Sequence, residues 1–228
     1  MIQILPLANI LHEEVLLEDD FNSQHEGWEI IKDEEEQAFI KDSYYWMENT
    51  SINRWMFYHK KMPLNIDENF IIKARIELLH NKQGYGQFGL VWGFDKKHSQ
   101  LNKFVVSSNT SRFTIADFEK DHAFTNHRFS GKFEKDPFSK NEQFFSIVKL
   151  EDYYYFFLNG HSKPVYVTHV SQMGQSGDRF GFYVEPGLMI RCNKISVKRL
   201  IVDPNFEHNP WMPLTDDEMP FGSVILRG

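Results

Sequence analysis

One cysteine, Cys192, among 228 residues excludes an intramolecular disulfide and any thiolate-based zinc site. It stands in the apolar stretch 188–197, where a small buried hydrophobe is expected rather than a nucleophile. A basic excess is also missing. The 25 lysines and arginines are scattered and outnumbered by 32 acids, a net charge of −7, so a general binder of nucleic-acid backbones is not expected. No apolar run reaches the roughly 18 residues that a membrane-spanning helix needs, so no membrane partner is expected. Residues 1–17 are apolar but lack a basic start and are interrupted by His12, Glu13 and Glu14, which makes a poor secretory signal. A cytoplasmic location is the resulting expectation. The two N-x-Ser sequons, at Asn49 and Asn109, would then be chance.

Chemical motifs are equally sparse. The ten histidines include no H-x-H and no H-E-x-x-H; the closest pair, His122 and His127, reads as ordinary surface histidines in a loop. No G-x-S-x-G elbow occurs, and no glycine-rich loop opens a helix. No cofactor is expected, with calcium left as an option at Asp95 and Asp117 near strand ends.

What is abundant is aromatic: 15% of the chain, with 21 Phe, 9 Tyr and 5 Trp, which favours pleated, half-buried sheet surface. Residues 70–79 alternate, with Ile72, Ala74, Ile76 and Leu78 on one side and Lys73, Arg75 and Glu77 on the other. That period of two predicts a strand with one wet face. A meander follows through 87–94, 103–108 and 113–118, and a hairpin pair at 145–150 and 153–158 ends in the turn dipeptide Asn159-Gly160. Strands at 165–170, 179–185 and 190–200 follow, and shorter ones at 28–32, 38–42, 44–48 and 55–60 precede the meander. About a dozen strands at this spacing predict a single all-β domain over 1–228, a sandwich of two antiparallel sheets. The tail differs: residues 201–228 hold Pro204, Pro210, Pro213 and Pro220 among bulky apolar side chains. Proline excludes a central strand there, which predicts an extended strap packed on the sandwich, or else a segment that binds a protein partner.

Several of these segments carry a family pattern. Asp19-Asp20-Phe21 with Trp28, the run GQFGLVWGFD at 86–95, the apolar strand into Asn-Gly at 154–160, GDRFGF at 177–182 and the amphipathic strand 194–200 appear in order. Together the chain resembles the concanavalin A-like lectin and glucanase superfamily, particularly its laminin-G-like bacterial jelly rolls, over residues 18–200. The resemblance implies a jelly roll and leaves open sugar binding, glycan hydrolysis or protein recognition. Laminarinase-like members carry E-x-D-x-x-E or E-x-D-x-E on one strand. Here Glu18/Asp20, Glu119/Asp121 and Glu134/Asp136 lack the third acid, so an enzyme would have to recruit acids from separate strands, such as Glu77, Asp117 and Glu185.

Sugar recognition needs aromatic walls with a few convergent polar groups. The sequence offers Trp92, Trp55, Tyr58 and Tyr154 for stacking, and Arg75, Glu77, Arg112 and Asp117 for hydrogen bonds. The expectation is a non-catalytic module binding a carbohydrate or similar polar ligand on the concave sheet. A glycan hydrolase and a protein-interaction scaffold are the alternatives.

Overall fold

The structure, a computed structural model, describes residues 10–22, 27–95, 100–119, 122–133, 141–174 and 177–203. Fifteen strands run in chain order: β1 (Ile10–Asp19), β2 (Ile31–Lys32), β3 (Glu36–Lys41), β4 (Tyr44–Asn49), β5 (Met56–Lys61), β6 (Phe70–Asn81), β7 (Gln87–Asp95), β8 (Gln100–Ser107), β9 (Arg112–Glu119), β10 (His122–Lys132), β11 (Glu142–Leu150), β12 (Tyr153–Leu158), β13 (Tyr166–His169), β14 (Arg179–Val184) and β15 (Leu188–Val202). They form two antiparallel sheets. One has nine strands in the order β13-β12-β11-β6-β15-β4-β3-β2, with β1 paired to the far half of β15; the other has six, β10-β9-β8-β7-β14-β5. Among the described residues no helix is long and apolar enough to cross a membrane.

The alternation of β6 holds as predicted: Phe70, Ile72, Ala74 and Ile76 are buried between the sheets while Lys73 and Arg75 face outward. Phe88, Leu90, Trp92, Phe104, Phe180 and Phe182 meet them from the six-stranded sheet. Aromatic rings fill this interlayer because a gap of about 10 Å needs bulky side chains. The acidic-acidic-Phe signature works here as a corner clamp. Asp19 accepts the Phe21 backbone N–H at 2.9 Å and the Trp28 indole N–H at 2.8 Å. Phe21 thereby enters the core with φ of 58°, a conformation costly for a bulky side chain, and its ring stacks on Tyr45.

Two strands lie outside the sequence expectation. β1 carries register irregularities between Ile10 and His12 and between Val15 and Leu17, which break the alternation that would reveal it. β10 carries two such breaks, so the expected loop around His122 and His127 has a strand backbone instead. Trp28 is not in a strand; β2 starts at Ile31. The last strand runs to Val202, two residues into the expected strap, and residues 204–228 of that extension lie outside the described residues. Cys192 is buried, and burial pushes its thiol up to about 12.

Candidate functional site

The eight residues singled out for ligand contact do not share a surface. Trp92, Tyr58 and Tyr154 are each 0% exposed in the core between the sheets. They cannot stack on an external ligand: Trp92 packs on Tyr154 and Phe156 with centroids 5.8 and 5.6 Å apart, and Tyr58 bonds the Glu48 carbonyl. Their strands put a bulky ring at an inward position, and the sequence alone does not say which face of a two-sidedly apolar strand points in. Arg75 and Glu77 lie on the far side of the molecule, on the outer face of the nine-stranded sheet. There Arg75 pairs with Glu142 at 2.5 Å and Glu77 with Arg191 at 2.7 Å. Asp117 pairs across strands with Asn102, on the core-facing parity of β9. Trp55 and Arg112 alone stand with the outer face of the six-stranded sheet.

That face is built by parity. The pairs Phe57–Tyr183–Gly89–Val105–Thr114–Ser130 form one cross-strand row, and His59–Gly181–Val91–Lys103–Ala116 form the next. Glu185, Gln87 and Ser107 follow at the start of β7, and the Arg112–Lys132 pair continues that end of the sheet on β9 and β10, the side away from β5. The sheet curls strongly. Trp55, just before the edge strand β5, meets Phe118 of β9 edge-on at 6.0 Å although three strands lie between them. Two glycines on these strands leave no room for a side chain. A Cβ on Gly181 would sit 2.0 Å from the Tyr58 carbonyl oxygen, and one on Gly89 would sit 2.3 Å from that of Phe104.

The result is an aromatic-walled trough. Trp55, Phe57, Phe94 and Phe118 are half-buried walls over the buried Val91, Leu101, Val105 and Tyr183. Inside the trough runs a polar chain. Lys103, only 3% exposed, points its ammonium at Gln87 Oε1 (3.4 Å) and the Tyr183 hydroxyl (3.5 Å), and sits 4.4 Å from the Tyr183 ring centre. Tyr183 donates to Glu185 Oε1 at 2.9 Å, and the Gln87 backbone N–H donates to the other Glu185 oxygen at 2.7 Å. The Gln87 side-chain amide reaches Thr114, which in turn meets Ser130, both at 3.4 Å. Burial pulls the Lys103 amine down to about 8, opposed by the Glu185 carboxylate. Desolvation and the same carboxylate push the Tyr183 hydroxyl well above the usual phenol range, so it stays a donor.

Lys103, Tyr183 and Gln87 were not among the expected site residues. The available signal was a lysine inside the apolar run 101–106, which strict alternation places on the same side as Val105. No group of three or more His, Cys, Asp or Glu among the described residues is placed to hold a metal ion. The side chains of His122 and His127 lie outside the described residues.

No family model matches the chain, and no curated protein does. Solved structures do. The endo-β-1,3-glucanase of Pyrococcus furiosus superposes with a TM-score of 0.58 at 9% identity, covering 84% of this chain and 96% of that one. A protein of unknown function with a galectin-like fold from Bacillus subtilis gives 0.57 at 12%, covering 83% and 98%. The CBM2 module of the evolved Dit of Lactobacillus casei BL23 phage J-1 gives 0.56 at 12%, covering 84% and 97%. The fold is a concanavalin A-like jelly roll. At these identities the likeness establishes the architecture, and the trough must be judged on its own side chains.

Proposed function

We propose that this protein is a carbohydrate-recognition module that binds its ligand in the trough of the six-stranded sheet. The observation that carries the reading is the pairing of aromatic walls with a polar floor. Trp55 and Phe118 offer flat apolar surface for the C–H face of a sugar ring, and the half-buried Gln87 and Glu185 offer an amide and a carboxylate for its hydroxyls, held in place by the buried Tyr183 and Lys103. A neighbour in fold is named as an endo-β-1,3-glucanase, which supports a glycan as ligand class. Binding is favoured over hydrolysis because Glu185 is the one described carboxylate bonded into the polar floor: Glu29 and Asp178 meet this face at His59 and Lys61, whose partners Gly181 and Arg179 lie four and six residues from Glu185 along β14. Glycoside hydrolysis by the two-carboxylate route needs a second about 5–10 Å away.

The test is tryptophan fluorescence against a panel of soluble oligosaccharides, beginning with β-1,3-gluco-oligosaccharides. A ligand should quench or shift the emission, and Trp55→Ala should remove the response while far-ultraviolet circular dichroism stays unchanged. A panel with no saturable response, or a response that survives Trp55→Ala, would end this reading. Release of reducing ends on prolonged incubation would move it to the hydrolase alternative.

A further inference from the structure

The charges on this face run against those of the molecule. Among the described residues its outward positions carry Lys61, Lys103, Arg112, Lys132 and Arg179, with Glu185 among them and Asp178 and Glu29 meeting it only at Lys61 and His59, in a chain of net charge −7. At one end the cations are met locally: Lys61 lies 3.7 Å from Asp178, and the Arg179 guanidinium lies 3.2 Å from the His59 ring nitrogen. The other end is different. Arg112 and Lys132 are exposed, stand directly opposite each other on β9 and β10, and make no ion pair among the described residues. Like charges opposed on one sheet face repel each other. They border the end of the polar floor, where Gln87, Thr114 and Ser130 form a hydroxyl and amide ladder.

Building on the carbohydrate reading, we propose that the ligand is an acidic oligosaccharide, one of whose carboxylate or sulfate groups is held between Arg112 and Lys132. The guanidinium fork of Arg112 matches a planar carboxylate or a sulfate edge, and Lys132 adds a mobile point charge. An anion there converts a repulsive pair into two favourable contacts. Arg112 and Phe118 lie six residues apart on one strand, so about 20 Å separates the cationic end from the aromatic wall. A ligand touching both is a chain of several sugars rather than a single one.

The experiment is calorimetric titration of the full-length protein at low salt. The probes are tetragalacturonate, its methyl ester, a sulfated tetrasaccharide, a neutral β-1,3-glucan tetrasaccharide, an oligouridylate and a polyglutamate. Tetragalacturonate or the sulfated sugar should bind at least about tenfold tighter than the methyl ester, and which of the two binds identifies the acid group. Raising the salt to 200 mM should shrink that preference, since exposed charges are screened over about 8–10 Å. Arg112→Glu with Lys132→Glu should abolish the preference and leave neutral-sugar affinity within about twofold; Arg112→Gln with Lys132→Gln serves if the reversal disturbs folding. Equal binding of acid and ester overturns the inference, as does a preference that survives either double variant. Equal or tighter binding of oligouridylate or polyglutamate also overturns it. A neutral sugar bound through Trp55 without acid preference sinks this inference and spares the carbohydrate reading, whereas no saccharide binding sinks both.

Discussion

Replacing Lys103 with methionine tests whether the trough holds a charge at the expense of stability. The amine is 3% exposed, among Val91, Val105, Ala116 and Tyr183, and burial lowers it from 10.5 to about 8. That gap is worth about 3 kcal/mol. Its sign follows from proton binding. Below pH 8 the lysine is charged in both folded and unfolded chains, and the folded state carries the full penalty. Between pH 8 and 10.5 the unfolded chain binds more protons than the native one, so this group makes stability rise with pH until the penalty is gone. Methionine fills a similar volume without a charge. Allowing about 1 kcal/mol for the lost long contacts to Gln87 and Tyr183, Lys103→Met should stabilise the protein by about 2 kcal/mol at pH 7. The gain should vanish by pH 10.5. Urea unfolding of both proteins at matched pH values between 6 and 10.5 measures it. The difference curve isolates Lys103 from the buried tyrosines, whose hydroxyls are held protonated in the folded protein but ionise at about pH 10 in the unfolded chain. The variant should also lose saccharide affinity. A variant that is less stable at pH 7, or a difference curve flat across that range, would refute the account of Lys103 as a buried, destabilising charge.

Asp19→Ala removes the acceptor for the Phe21 amide and the Trp28 indole, and should cost about 3 kcal/mol by urea midpoint; a loss under about 1 would mean that corner is held by packing alone. Gly181→Ala drives a methyl into the Tyr58 carbonyl and should cost about 3 kcal/mol or more, or prevent folding, whereas Gly160→Ala, with open space at its turn, should cost only the strain of its positive φ. Arg75→Ala and Glu77→Gln break ion pairs on the opposite sheet and should leave saccharide affinity within about twofold; a larger loss would place the ligand on that face instead.

The layered architecture was legible because a strand with one wet face writes its burial into alternate residues, as in β6. The packing signatures were legible for a related reason: Asp19, Phe21 and Trp28 form one local clamp, and Asn159 and Gly160 adopt the positive φ values of 54° and 69° that their turn requires. The site was less legible. In β12 both faces are apolar, Tyr154 and Phe156 entering the main core while Tyr155 and Phe157 form a second cluster on the outside of the nine-stranded sheet. Nothing in such a stretch distinguishes a ring that fills the core from one that greets a ligand. Trp92 failed for the same reason. Strand order decides the rest: Arg112 and Glu77 look equivalent along the chain, but only pairing to β10 and to β15 sends them to opposite sides of the molecule.

The outer face of the six-stranded sheet gathers several features that stability alone would not select. It buries an amine whose charge opposes folding, sets opposite each other two cations that make no ion pair among the described residues, and leaves one indole and three phenyl rings half-buried along its walls. The other sheet solves the same problems conventionally. There Arg191 stacks 4.0 Å from the Tyr44 ring and bonds Glu77, and Arg75 covers Phe144 while bonding Glu142. On that sheet these charges are paired, whereas on the six-stranded sheet Arg112 and Lys132 make no ion pair among the described residues, and Trp55, Phe57, Phe94 and Phe118 gather on one concave face. Local rules of folding tend to be broken where function requires it. A ligand that brings anions to Arg112 and Lys132, hydroxyls to Gln87 and Glu185, and apolar ring faces to Trp55 would relieve each of those departures in one binding event.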